Sequence, residues 1–138
     1  MQRYLHVKKN IFLIKIIVLT ASLALSGCAG LTGVPQGSVL LGVYEGSFNG
    51  KFDSGTIEVK LYQSPTGAKI FTGSFMEGAR FPANFNGQMN DGKMQGSLIG
   101  DLDGTVSGEL SADGGSMSGT YKINDPPFDH GTWNAQKR

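Results

Sequence analysis

The sequence predicts an all-β domain, a small antiparallel eight-stranded meander closed into a barrel, with a two-sheet β-sandwich as the alternative. Three observations lead there. A five-residue pattern, apolar-any-Gly-any-apolar, recurs from Val39 onward. Its last four central glycines, Gly96, Gly108, Gly119 and Gly131, are spaced 12, 11 and 12 residues apart, the length of one strand plus one tight turn. Short clusters of Asp, Asn, Ser, Pro and Gly separate the repeats, as hairpin turns require.

The pattern appears as Tyr44-Glu45-Gly46-Ser47-Phe48, Phe71-Thr72-Gly73-Ser74-Phe75, Phe85-Asn86-Gly87-Gln88-Met89 and Met94-Gln95-Gly96-Ser97-Leu98. It continues as Val106-Ser107-Gly108-Glu109-Leu110 and Met117-Ser118-Gly119-Thr120-Tyr121, and more weakly as Asp129-His130-Gly131-Thr132-Trp133. Side chains alternate across a strand, so the two apolar residues and the glycine between them share one face. The intervening Glu, Ser, Thr, Gln and Asn share the other. Large and small residues alternating on an inner face is how small barrels fill a tapering interior. Ile57, Val59 and Leu61, alternating with Glu58, Lys60 and Tyr62, give a strand of the same polarity without glycine. The predicted strands are 39–52, 56–63, 68–76, 81–89, 93–102, 105–111, 116–123 and 130–136. Asp53-Ser54-Gly55, Ser64-Pro65-Thr66-Gly67, Asn90-Asp91-Gly92, Asp103-Gly104 and Asp113-Gly114-Gly115 are the expected turns. No window shows a 3.6-residue period, and the glycines penalise helix. A membrane-crossing barrel needs an outward apolar band about 25 Å tall, more than these strands supply.

The segment before the domain has a different character. Residues 1–10 carry Arg3, Lys8 and Lys9 and no acid, and an uninterrupted apolar run of ten residues spans Ile16 to Leu25. That suits a signal peptide and is about half of the roughly 20 residues a spanning helix needs. The run closes on Leu25-Ser26-Gly27-Cys28, which resembles the lipobox of bacterial lipoproteins. The resemblance covers the first 28 residues and implies a compartment: cleavage before Cys28, diacylglyceryl and further acyl chains on its sulfur, and a lipid-anchored protein. Ala29, where lipoproteins retained in the inner membrane carry Asp, implies the outer membrane, facing the periplasm or the surface. Two or three acyl chains hold a membrane stably where one does not. The expected organisation is therefore 1–27 signal peptide, 28–38 lipidated Cys28 and tether, and 39–138 barrel domain. The ten residues from Ala29 to Ser38 would reach roughly 33–36 Å when extended.

Cleavage leaves 111 of 138 residues, enough for one domain. It removes Arg3, Lys8, Lys9 and Lys15, leaving eight basic against eleven acidic residues, a net charge of −3. A Lys/Arg cluster of the kind nucleic acid requires is missing from the sequence. Cys28 is the only cysteine, so its lipidation leaves no disulfide, thiolate metal site or redox role.

Candidate chemistry beyond Cys28 is sparse. Asp125, Asp129 and His130 share one loop, which reads as a solvated connection shaped by Pro126 and Pro127. Asp101-Leu102-Asp103-Gly104 lacks the further oxygen ligands of a calcium loop. The sequence thus predicts no catalytic, cofactor or metal residues. An eight-stranded barrel is either filled by side chains or holds one small ligand. The inward aromatic residues, with Tyr44, Phe48, Tyr121 and Trp133 foremost, therefore fill the interior or line a pocket for a hydrophobic ligand.

Met117-Ser118-Gly119-Thr120-Tyr121 is similar to strand segments of avidin-like barrels. The glycine-aromatic rhythm resembles barrel domains of the transferrin-binding protein B family of surface lipoproteins. Membrane-bound lysozyme inhibitors are also lipoproteins with eight-stranded barrels, but Thr120 stands where their Ser-Gly motif carries a basic residue, and their cysteines are absent. The sequence therefore implies a non-enzymatic accessory or small-ligand-binding lipoprotein, with a protein-binding, inhibitor-type barrel as the alternative. Its expected partners are the membrane, through Cys28, and a small hydrophobic ligand or an envelope protein. Intact mass of the envelope-derived protein should show residues 1–27 removed and acyl chains on Cys28. Cys28→Ser should leave an unprocessed precursor, and a mature chain that keeps residues 1–27 would refute the anchor.

Overall fold

Turn chemistry and strand period together dictate a meander, and the computed structural model shows one. It describes residues 33–76, 78–79, 82–126 and 128–138; the expected signal peptide, Cys28 and the first part of the tether lie outside the described residues. The strands are β1 (Val39–Gly50), β2 (Ser54–Gln63), β3 (Lys69–Phe75), β4 (Ala83–Asn90), β5 (Lys93–Ile99), β6 (Gly104–Leu110), β7 (Ser116–Ile123) and β8 (His130–Lys137). Each pairs antiparallel with the next, and β8 returns to β1, with Phe48 opposite Trp133. That closing ladder makes the domain a barrel and not a two-sheet sandwich.

The boundaries differ from expectation where single residues end a strand early. β1 stops at Gly50, whose N–H donates to the Asp53 carbonyl in a turn. β5 stops at Ile99 because Gly100 takes φ +101°, a left-handed conformation that L side chains avoid. Gly100, not Asp103-Gly104, therefore turns the chain into β6, and Gly104 is a buried strand residue. Likewise Ser54 and Gly55 belong to β2 and not to a turn. Asp91 and Gly92, at φ +51° and +75°, form the two-residue turn that matches strand twist best. Near its start β1 shifts register between Leu40 and Gly42, a bulge opposite Tyr62 and Leu61.

The alternation holds all round. Ile57, Val59, Phe71, Phe85, Val106 and Ala135 are wholly buried, and Glu45, Asn84, Gln88, Gln95, Thr105, Glu109, Ser118, Thr120 and Asn134 are exposed on the outside. The interior is apolar and the belt polar, the reverse of a barrel that crosses lipid.

The meander gives the barrel two unlike ends. At the near end the chain joins β1, and the turns β2–β3, β4–β5 and β6–β7 are tight. At the far end lie the connections β1–β2, β3–β4, β5–β6 and β7–β8.

Gly108 shows the packing on the inner face. A Cβ there would come 2.6 Å from Cζ2 of Trp133 and 2.7 Å from the Ser118 carbonyl. Gly108→Val should overpack the interior and cost about 1–3 kcal/mol in equilibrium unfolding. Its neighbour Glu109 is exposed, so Glu109→Val should stay within about 0.5 kcal/mol of the parent. The reverse order would place the wrong face inward.

Candidate functional site

The four aromatic residues singled out as lumen-lining all face the interior. Tyr44, Phe48, Tyr121 and Trp133 are each no more than 4% exposed. Phe48 and Tyr121 pack against one another and against further aromatic rings. The Phe48 ring centroid lies 5.0 Å from Phe75 and 5.8 Å from Tyr121, both edge-on. Phe75 in turn lies 5.0 Å from Tyr121 and 5.1 Å from Phe85, and Phe85 lies 6.1 Å from Phe71. Such spacings are those of rings in direct contact.

Ring edges also lie over inward glycines, among buried aliphatic chains such as Ile57, Val59 and Val106. Gly87 and Gly96, paired across β4 and β5, both face Cζ of Phe71, which a Cβ on either would approach to 2.7 Å. Trp133 is placed in the same way beside Gly108, and its indole N–H donates to the carbonyls of Ser107 (3.1 Å) and Thr120 (3.3 Å). Surface depressions lie outside the barrel, over the polar faces of β4–β5 (Asn86, Gln88, Gln95, Ser97) and β5–β7 (Gln95, Ser107, Thr120). Another lies beside the β3–β4 connection, by Met76 and Ala79.

Two tyrosine hydroxyls tie the interior to the two ends. At the near end, Tyr44 donates to the Gly114 carbonyl in the β6–β7 turn at 2.8 Å. Burial, followed by the charge of Asp113, raises its pKa. At the far end, Tyr121 donates to Oδ2 of Asp129 at 3.0 Å.

Asp129 corrects the sequence reading. It is not a solvated loop residue; it is 2% exposed and occupies the first inward position of the β8 repeat. Its Oδ1 accepts from the backbone N–H of Phe52 (3.1 Å) and of His130 (2.9 Å), and its carbonyl accepts from Ile123 N–H (2.7 Å). One carboxylate thus fastens the β1–β2 connection to the start of β8. Gly50 makes room, because a Cβ there would strike both the Tyr121 hydroxyl and the Asp129 carboxylate. The signal was present as a polar residue in an apolar slot of the repeat. His130, by contrast, is exposed.

Asp125, Asp103 and Asp113 also serve local structure. Asp125 accepts from Asp103 N–H through Oδ2, and Asp103 accepts from the Asn124 backbone (2.9 Å) and side chain (3.2 Å). Asp113 accepts from Ser111 Oγ and Gly115 N–H, which lower its pKa. Among the described residues, no group of three or more His, Cys, Asp or Glu could hold a metal ion.

The Tyr121–Asp129 pair sets a pH dependence. Burial first, then the hydrogen bond to Asp129 and that residue's charge, push the Tyr121 hydroxyl well above its ordinary value. A pKa raised in the folded state adds stability that is complete below the unfolded value, about 10, and is lost as pH climbs beyond it. Tyr121→Phe leaves a buried carboxylate oxygen without its donor and should cost about 1–3 kcal/mol at pH 7. In urea unfolding at pH 11 the gap between parent and variant should narrow, because only the parent has a Tyr121 to ionise. A gap that widens would contradict the assignment.

Compared with known proteins, the sequence matches no protein-family model and no curated protein.

Proposed function

We propose that this protein is a lipid-anchored component of the outer membrane whose barrel is a non-enzymatic accessory module that works through its outer surface. The anchor reading rests on Leu25-Ser26-Gly27-Cys28 and the basic, then apolar, segment before it. The outer-surface reading rests on one observation: the rings of Phe48, Phe71, Phe75, Phe85 and Tyr121 contact one another across the lumen. A hydrophobic ligand would have to displace side chains that are already packed and buried. The non-enzymatic reading is supported by the use of the acids, since Asp129, Asp125, Asp103 and Asp113 hold backbone N–H groups and turns.

The barrel and the residues leading into it, Val34–Arg138, form a compact unit of their own, so residues 29–138 can be tested without lipid. Trp133 is the only tryptophan and reports on the lumen wall. Titration with fatty acids and apolar dyes should leave its emission unchanged. A saturable shift would instead assign Tyr44, Phe48, Tyr121 and Trp133 to a ligand pocket and overturn the outer-surface reading.

A further inference from the structure

Among the described residues, the exposed large apolar residues of the barrel are unevenly placed. Two of them, Val39 and Leu40, adjoin where the chain joins β1. The other four, Phe52 (52% exposed), Met76 (38%), Ile99 (48%) and Phe128 (58%), are at the far end. Each belongs to a different connection: Phe52 to β1–β2, Met76 to β3–β4, Ile99 to the last position before β5–β6, and Phe128 to β7–β8. The near-end turns carry Ser64, Pro65, Thr66, Asp91, Ser111 and Asp113 instead.

The far end is also a fixed surface. Lys51 N–H donates to the His130 carbonyl (3.1 Å) and Phe52 N–H to Asp129, which join β1–β2 to β7–β8. Asn124 and Asp125 hold Asp103, joining β7–β8 to β5–β6. Met76 N–H donates to the Thr56 carbonyl (2.8 Å), and Gly78 lies against Ser54 and Gly55, which fasten β3–β4 to the start of β2. Phe128 stands out within this frame. Its φ is +44°, a conformation uncommon for any residue with a side chain and an outlier for a bulky one, and it presents an aromatic ring to water. Strain of this kind persists only where the surroundings impose it, and it gathers at binding sites.

The charge of this end selects the occupant. Among the described residues it carries Asp53, Asp101, Asp103 and Asp125, against Lys51 and Lys122, with His130 beside them. The Lys51 ammonium lies 5.0 Å from the centroid of the Phe52 ring. A second copy of the chain would bring the same acidic rim, and an anionic lipid surface would be repelled as well. We infer that the far end of the barrel is a docking surface for a basic, amphipathic segment of a partner protein, with Phe52 and Phe128 as its apolar anchors and the aspartates as its charged rim. The inference rests on the reading that the barrel works through its exterior. It also agrees with the position of the tether, which meets the barrel at the opposite end.

The mature chain in phosphatidylcholine nanodiscs provides the test, with empty discs subtracted. The probes are an 18-residue amphipathic peptide of Leu and Lys and its Leu/Glu counterpart. The Leu/Lys peptide should bind saturably and more weakly as salt is raised, and the Leu/Glu peptide should not bind. Phe52→Ser with Phe128→Ser should weaken binding at least about tenfold, the effect expected of central anchor residues. Asp101→Asn with Asp103→Asn should flatten the salt dependence. Unchanged unfolding midpoints and Trp133 emission would show that the variants keep the barrel. Absence of Leu/Lys binding, or equal binding by parent and variants, overturns the inference. So does self-association of the discs, or their capture by phosphatidylglycerol vesicles, that the Phe52 and Phe128 substitutions abolish. A negative result with Trp133 still silent toward fatty acids removes this docking end alone, whereas a saturable Trp133 shift removes the exterior reading beneath it.

Discussion

Closing eight strands into a circle leaves too little room on the inner face for a Cβ at every inward position, and the rest of the structure follows from that constraint. At Gly46, Gly87, Gly119 and Gly131 the obstacle is backbone: a Cβ would strike the carbonyl of Asn134, Gln95, Ser107 or Asn49 on the adjacent strand. Backbone cannot rotate aside as a side chain can. At Gly73 and Gly108 a ring, Phe85 or Trp133, stands in the way together with a backbone carbonyl, that of Glu58 or Ser118. Glycine weakens a strand by about 0.5–1 kcal/mol relative to alanine, but each ring buried over a glycine returns about 1.5–3 kcal/mol. The alternation of bulky residue and glycine is therefore a single packing solution repeated around the barrel.

The same solution leaves few polar groups in the interior, and those are paired. Three of its polar groups are aromatic, and each has a partner: the Tyr44 hydroxyl on Gly114, the Tyr121 hydroxyl on Asp129, and the Trp133 N–H on two carbonyls. Among the described residues no buried side-chain nitrogen or oxygen lacks a hydrogen-bond partner. Among the described residues Asp129 is the one buried carboxylate, and two backbone N–H groups and a hydroxyl satisfy it. An acid so engaged stabilises the connections it joins.

Strand order and facing were legible in the sequence because both depend on local period. Val106, Gly108 and Leu110 face inward and Glu109 outward for the same reason that the pattern can be read at all. The connections were less legible. Asp103-Gly104 and Gly100 are both plausible turn formers, and only the pairing of Gly104 with Ile123 decides that Gly104 belongs to β6. Burial of Asp129 was hidden for a similar reason. It depends on Tyr121 and Phe52, which are 8 and 77 residues away in sequence. The left-handed backbone of Phe128 has no local signal, since nothing in an aromatic side chain favours positive φ. Cys28 is the opposite case, a site read wholly from its neighbours Leu25, Ser26 and Gly27.

A barrel whose lumen holds rings in mutual contact has its belt and its two ends to offer a partner, and these differ in what they could contribute. The belt includes short neutral chains such as Ser107, Thr120, Asn86 and Gln95, of which Ser107 and Thr120 are hydrogen-bonded to each other at 3.0 Å. Exchanging such bonds for bonds to a partner yields little net free energy. The near end has turns whose glycines, Gly67 and Gly114, have open space around them, and its exposed apolar residues, Val39 and Leu40, adjoin where the tether joins β1. At the far end, exposed apolar area, a backbone held in a costly conformation and a hydrogen-bonded frame that fixes both coincide. Preorganisation matters there because association is opposed by the ordering of loops and side chains, and loops already fixed by Asp129, Asp125 and Asn124 have less ordering left to lose. The crowded glycine core and the hydrogen-bonded far end are thus connected: tightly packed strands hold in place the connections between them.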